Sequence, residues 1–127
     1  APPRAKPPVV AGDTARLCGW LVGYQDPNGA AVELREGRFF VTRSSLKTND
    51  LILEDESLST PHALVAVSAG SALFVQDLMS ERGVFVRRKS SDAYQRIEDT
   101  AELGHGDWVR FGDVEFLVSM VAHVGSV

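Results

Sequence analysis

The sequence predicts an all-β protein: a two-sheet β-sandwich of short, mostly antiparallel strands with its functional loops at one end. Three observations carry that expectation. No window keeps apolar residues at the helical period for the roughly 11 residues of a typical helix. Short runs of Val, Leu, Phe and Ile recur along the chain, and each stops at a cluster of Gly, Pro, Asn, Asp or Ser. The chain has 127 residues, 44% of them hydrophobic, which suits one domain with one core.

The elements follow in order. "RLCGWLVGY" (16–24) is dense in large apolar residues and stops at "QDPNGA", a strong turn signal. "AVELREGRFFVTR" (31–43) reads as two β-rich runs broken at Glu36-Gly37, the first forming a hairpin with 16–24 across Pro27-Asn28-Gly29. "LIL" (51–53) is a short buried strand, and "ALVAVSAG" (63–70) and "SALFVQDL" (71–78) form a hairpin at Gly70-Ser71. "GVFVRR" (83–88) sets Val84 and Val86 against Phe85 in strict alternation. After the polar loop "KSSDAY", "QRIED" (95–99) reads as an edge strand, and "DWVRF" (107–111) and "VEFLVSMVA" (114–122) close the domain around Gly112-Asp113. The linking segments 44–50, 54–62, 78–83 and 88–93 are polar, as loops that carry function on a rigid sandwich should be. Four prolines in the first eight positions make 1–13 a linker or tail, leaving the domain at 14–123 and a short tail at 124–127, and the whole reads as a C-terminal module of something longer.

Composition narrows the partners. Acidic residues outnumber basic ones 17 to 13, for a net charge of −4, which argues against a duplex nucleic-acid binder. The single cysteine, Cys18, can form no internal disulfide and no C-x-x-C metal pattern, and is expected as a small buried hydrophobe in a reducing compartment, the cytoplasm. No apolar run approaches the roughly 18 residues of a membrane span, and "APPRAKPPVVAG" lacks the apolar centre of a signal peptide.

Catalytic patterns are absent. "SLSTPH" places Ser59 near His62, but there is no G-x-S-x-G elbow, and triad members usually converge from distant segments. His62, His105 and His123 are isolated, and no pair has the i, i+4 spacing of a helical metal site. "GHGDW" lacks the Lys-Ser/Thr and helix of a phosphate loop, and "LEDES" lacks the alternating ligands and glycine of a calcium loop. The expectation is therefore no enzyme, no metal and no cofactor.

Anion capture fits better. A guanidinium clamps phosphate with two hydrogen bonds and a charge, and hydroxyls and backbone N–H groups from neighbouring loops complete the shell. Arg43 ends a strand in "FFVTR", Ser59 and Thr60 follow the next short strand, and "DLMSERG" (77–83) makes a glycine turn after a third.

Taken in order, these pieces resemble the forkhead-associated (FHA) domain family. "VTRSSLKTNDLIL" is similar to the family's Gly-Arg, loop, Asn-Asp and short apolar strand; "SLSTPHALV" to its Ser-x-x-His-Ala; "DLMSERGVFV" to its Asp-Leu-x-Ser-x-Asn-Gly-Thr-x-Val; and "ELGHGDWVRFGDVEF" to its closing Gly-Asp, Gly and Phe pattern. The likeness runs from about Gly37 to Val121. It implies a β-sandwich module that binds phosphothreonine peptides, hence a Thr-phosphorylated partner, a Ser/Thr kinase that writes the mark, and no membrane. Carried over residue by residue, it makes Arg43 the phosphate clamp, Ser59 a hydroxyl donor to phosphate and Thr60 a second contact. Lys47 is a further candidate for the phosphate or an acidic peptide. His62, Asn49 and Gly83 would support the site, with His62 a buried scaffold residue rather than a base.

Departures from the pattern leave two function classes open. Thr42 stands for the family's glycine, Arg82 for its first asparagine, Val84 for its threonine and Arg87 for its second asparagine. An asparagine amide donates and accepts, whereas arginine only donates. Arg82 therefore either swings to the phosphate and adds charge, or pairs with Glu81 or Asp77 and impairs the site. In the first class the domain reads phosphothreonine, helped by a basic patch of Arg43, Lys47, Arg82, Arg87 and Arg88, with specificity set by the loops around Lys47 and Arg82 to Arg88. In the second it has lost phosphate reading and serves as a phosphate-independent assembly module through a sheet face or edge strand.

Overall fold

Turn chemistry sets the strand boundaries in a computed structural model of the chain, which describes residues 15–47, 50–68 and 72–121. Asn49, the Gly70-Ser71 turn and the 1–13 and 124–127 segments lie outside the described residues. Among the described residues every regular element is a strand. In order they are β1 (Leu17–Gly23), β2 (Ala30–Arg35), β3 (Gly37–Thr42), β4 (Leu51–Ile52), β5 (Ala63–Val67), β6 (Leu73–Asp77), β7 (Val84–Arg87), β8 (Gln95–Arg96), β9 (Thr100–Leu103), β10 (Trp108–Phe111) and β11 (Val114–Met120).

They form two sheets, a six-stranded one ordered β2-β1-β11-β10-β7-β8 and a five-stranded one ordered β4-β3-β5-β6-β9. Every pairing is antiparallel except β3 with β4. The expected β1–β2 hairpin forms around Gly29, whose φ of 83° only glycine adopts freely. The strands either side of 68–72 pair as the expected hairpin, with Val67 opposite Leu73.

Alternation selects the inner faces. Ala63, Val65 and Val67 of β5 face Val109 and Phe111 of β10, Val114, Phe116 and Val118 of β11, and Val84 and Val86 of β7 in one continuous core. Phe111 is its largest fully buried side chain. Cys18 is buried at a β-bulge where β1 slips register against β2, as a small hydrophobe, and burial raises its thiol pKa.

Two elements differ from expectation. "QRIED" shrinks to the two-residue edge strand β8, and β9 was not anticipated at all. Only Leu103 of "TAEL" is buried, with Ala101 partly so, and two small contacts in four residues make no visible apolar run. β9 exists because β6 offers it a free edge.

On the outer face of the larger sheet, cations and rings alternate. Arg96 lies over Phe85, Arg110 lies over both Phe85 (4.1 Å) and Tyr94 (5.1 Å), and Arg87 lies over both Tyr94 (5.7 Å) and Trp108 (5.0 Å). Tyr94 also donates its hydroxyl to Glu115. This stack pins the 88–94 loop to the sheet. Among the described residues no helix is long and apolar enough to cross a membrane.

Candidate functional site

The register sends the C-terminal ends of β3, β6 and β10 and the N-terminal ends of β5, β7 and β11 to one end of the sandwich. The loops there are bound to one another by backbone hydrogen bonds. Arg43 N–H donates to the Ser59 carbonyl at 3.1 Å, Leu78 N–H to the His62 carbonyl at 3.1 Å, and Gly112 N–H to the Gly83 carbonyl at 3.0 Å. At Gly112 a side chain would meet the Ser57 carbonyl at 2.6 Å, so glycine lets the β10–β11 turn pack onto the 53–62 loop.

His62 holds this end together. It is fully buried, and its Nδ1 accepts the Ser59 N–H at 2.9 Å. A backbone N–H can only donate, so the ring proton sits on Nε2, which donates to the Gly83 carbonyl at 2.8 Å. One imidazole thus ties the smaller sheet's loop to the start of β7 in the larger sheet. Burial lowers its pKa, and the Gly83 bond and the Asp77 charge only partly offset that, so the ring is neutral at physiological pH. It contacts the Ser59 amide rather than the hydroxyl, a geometry that positions a loop and does not activate a nucleophile.

Ser59 and Arg43 stand on the two turns joined by the first of those backbone bonds. The Ser59 Oγ accepts the Glu81 N–H at 3.1 Å. A hydroxyl has one proton and two lone pairs, so this leaves the proton free to donate, and it has no acceptor among the described residues. Arg43 is exposed at the end of β3. Thr42, in the place of the family's glycine, is fully buried and donates its hydroxyl to the Ser44 carbonyl at 2.7 Å. The substitution therefore adds an anchor to the turn that carries Arg43. Thr60 is exposed beside Ser59. Lys47 is exposed too, with its ammonium 5.8 Å from the Phe40 ring centroid. Its loop is folded by Asp50, which accepts the N–H groups of Leu46 and Lys47 at 2.6 Å each.

The β6–β7 turn is self-contained. Asp77 Oδ1 accepts both the N–H and the hydroxyl of Ser80, and Ser80 Oγ accepts the Gly83 N–H. Arg82 accordingly pairs with neither Asp77 nor Glu81, the two partners expected for it. It pairs with Asp113, 31 positions away, at 3.4 Å. Asp113 N–H donates to Ser57 Oγ, which in turn donates to Asp55. The hydrogen bonds from Ser57 hold the Asp55 carboxyl below its ordinary pKa, and the cations of Arg43 and Arg82 act in the same direction. Both guanidiniums therefore lie within electrostatic reach of one carboxylate.

Two corrections concern the basic patch. Arg87 is stacked on Tyr94 and Trp108, and Arg88 donates to the Glu102 carbonyl at 2.6 Å and to Asp107 at 3.1 Å. Both sit at the far end of β7 from Gly83, because a strand separates them from the site. Of the five bases, only Arg43, Lys47 and Arg82 share the site's end. Arg96, unremarked in the sequence, joins that end instead. Its guanidinium covers Gly83, where an added Cβ would stand 2.7 Å from Nε, and no carboxylate pairs with it among the described residues. Nothing short of the β7–β8 register, with Phe85 opposite Arg96, would have revealed it.

Comparison with known proteins agrees with this architecture. The FHA domain family profile matches residues 30–112. The FHA domain of the CT664 protein from Chlamydia trachomatis is 27% identical, with a TM-score of 0.68 over 83% of this chain and 99% of that one. Mycobacterium tuberculosis EmbR, solved in complex with a low affinity phosphopeptide, is 25% identical with a TM-score of 0.67, over 87% of this chain and 26% of that one. The FHA domain of an Arabidopsis thaliana hypothetical protein shares the fold at 21% identity, with a TM-score of 0.62 over 94% of this chain and 100% of that one. No curated protein matches the chain. With that profile covering most of the sandwich, and the Arg43, Ser59 and His62 turns assembled at one end of it, the chain belongs to the FHA domain family.

Proposed function

We propose that this domain binds a phosphothreonine segment of a partner protein, without catalysis, after a Ser/Thr kinase has modified that partner. One observation carries the reading. Arg43 and Ser59 lie on turns joined by a backbone hydrogen bond, and the Ser59 hydroxyl proton is unengaged among the described residues. A phosphate dianion between them would accept from the Arg43 guanidinium and the Ser59 hydroxyl, with Thr60 and Lys47 as further donors at the rim. His62 and Gly83 keep the turns in place, and Asn49 is proposed as loop support by its motif position alone. The proposed binding unit is 14–123, preceded by the proline-rich 1–13 segment and followed by the 124–127 tail, and its proposed setting is the cytoplasm.

Calorimetric titration with phosphothreonine peptides of degenerate flanking sequence, and with their unphosphorylated twins, tests this. Heat is expected only from the phosphorylated set. Arg43→Ala is expected to abolish it, and Ser59→Ala to weaken binding about tenfold, the worth of a hydrogen bond to a charged group. Equal, negligible heats from both sets would instead favour the phosphate-independent assembly module, which has its own support in Arg82 being engaged by Asp113.

A further inference from the structure

Arg82 occupies the position where the family's asparagine stands, yet it is neither buried nor bound within its own turn. Its only carboxylate partner among the described residues is Asp113, at 3.4 Å, with the two side chains 56% and 60% exposed. A pair so open to water is weak and exchanges readily. Asp113 itself is well placed to lose it. Its N–H is fixed to Ser57 Oγ at 2.8 Å, and its other carboxylate oxygen stands 4.0 Å from Arg110. If Arg82 leaves, Asp113 keeps a cation beside it.

The other end of the swing is also on the page. Arg82 follows Glu81, whose N–H is bonded to Ser59 Oγ at 3.1 Å. Consecutive Cα atoms are about 3.8 Å apart, so the long Arg82 side chain springs from the residue next to the one bonded to Ser59. Arg43 starts from the turn bonded to the Ser59 carbonyl. Two guanidiniums can therefore converge on an anion at the Ser59 hydroxyl.

We propose that Arg82 is a swinging second phosphate ligand, parked on Asp113 in the free domain and transferred to the phosphate when a phosphothreonine binds beside Arg43. This inference rests on the reading above and adds how that site selects its ligand. Asp113 is a built-in competitor that sets the affinity. The ligand class is a dianionic phosphomonoester on threonine, because a singly charged carboxylate cannot match two guanidiniums and also displace Asp113. Arginine only donates, so at this position the site offers a bound peptide a positive charge and no side-chain acceptor.

A double-mutant cycle tests it, with Kd measured by calorimetry for a degenerate-flank phosphothreonine peptide pool. Arg82→Asn is expected to weaken binding about tenfold. Asp113→Asn is expected to tighten it about threefold, the scale of an exposed ion pair, and to have no effect in the Arg82→Asn background. Peptides with glutamate for phosphothreonine are expected to stay unbound by every variant. In NMR spectra the Arg82 Nε–H signal, assigned by its loss in Arg82→Asn, is expected to shift on saturation along with that of Arg43. Both positions are exposed, so the variants should melt like the parent, which thermal unfolding checks.

Equal tightening by Asp113→Asn in both backgrounds would reduce Asp113 to a general repulsive charge and overturn the proposal. So would an Arg82→Asn variant that binds as well as the parent. In either case phosphate-dependent, Arg43-dependent binding would still stand. Absence of binding by the parent and every variant would end both the reading and the swing.

Discussion

His62 shows how one residue can serve the site without touching a ligand. Its two nitrogens join Ser59 N–H to the Gly83 carbonyl across the sandwich. His62→Ala would strand both groups in the interior and leave a cavity, so a loss of about 3 kcal/mol is expected in chemical unfolding. The pH dependence has a definite sign. The folded-state pKa lies below the ordinary 6.5, so below pH 6.5 the unfolded chain takes up a proton that the folded chain refuses. Stability is therefore expected to be level above neutrality and to fall with acidification from about pH 6.5, by at most about 1.4 kcal/mol per pH unit for this group. His62→Gln can still accept and donate at the same two points but does not titrate, and its melting temperature should be flatter between pH 7 and 5. An unchanged slope would show that other groups set it. That the turns of Arg43, Ser59 and His62 meet at one end of the sandwich was legible in the order of the motifs; the backbone bond that joins the first two was not. The partner of Arg82 was not, because Asp113 is brought to it by the β10–β11 turn packing on Ser57, a tertiary contact that leaves no local trace.

Among the elements, the β6–β7 turn and its neighbour β8 are the most informative. Gly83 has a φ of 88°, and Arg96 lies against its Cα. Gly83→Ala meets two obstacles, and their sizes differ. The guanidinium is the end of a flexible side chain and can step aside. The backbone cannot, since the Gly83 carbonyl is held by both His62 Nε2 and Gly112 N–H. Left-handed strain should dominate, at about 1–2 kcal/mol. Adding Arg96→Ala should recover only a small part, as read by thermal unfolding; full recovery would show that crowding was the cause. Strong strands such as β5 and β7 announce themselves by alternating valines, whereas β8 and β9 are made by the edges they join. That is why the 95–99 run was expected longer than it is and why 100–103 was missed.

For the molecule as a whole, the two sheets and the site are parts of one packing problem. Phe111 is fully buried, with its ring edge-on to both His62 (6.3 Å) and Phe116 (6.2 Å). Phe111→Ala is expected to cost about 3–5 kcal/mol in urea unfolding, and to loosen the His62 turn in whatever fraction stays folded. The sandwich was readable from short apolar runs and the turn signals between them, because one face of nearly every strand is buried. The distribution of charge was not, because strand length decides which end an arginine reaches: Arg82 precedes β7 and Arg87 ends it, so the two stand at opposite ends of that strand. Arg87 ends in the outer-face stack, over Trp108, and Trp20 lies on the same sheet between buried neighbours, half-buried like Trp108. Trp108 pairs with Arg87 and Trp20 with Ser119, away from the Gly83 end of the sheet, so both indoles stand apart from the loops around Arg43. Intrinsic emission from this protein should report loss of the fold faithfully and stay silent as an occupant enters or leaves, so an optical assay of occupancy needs a fluorophore on the peptide.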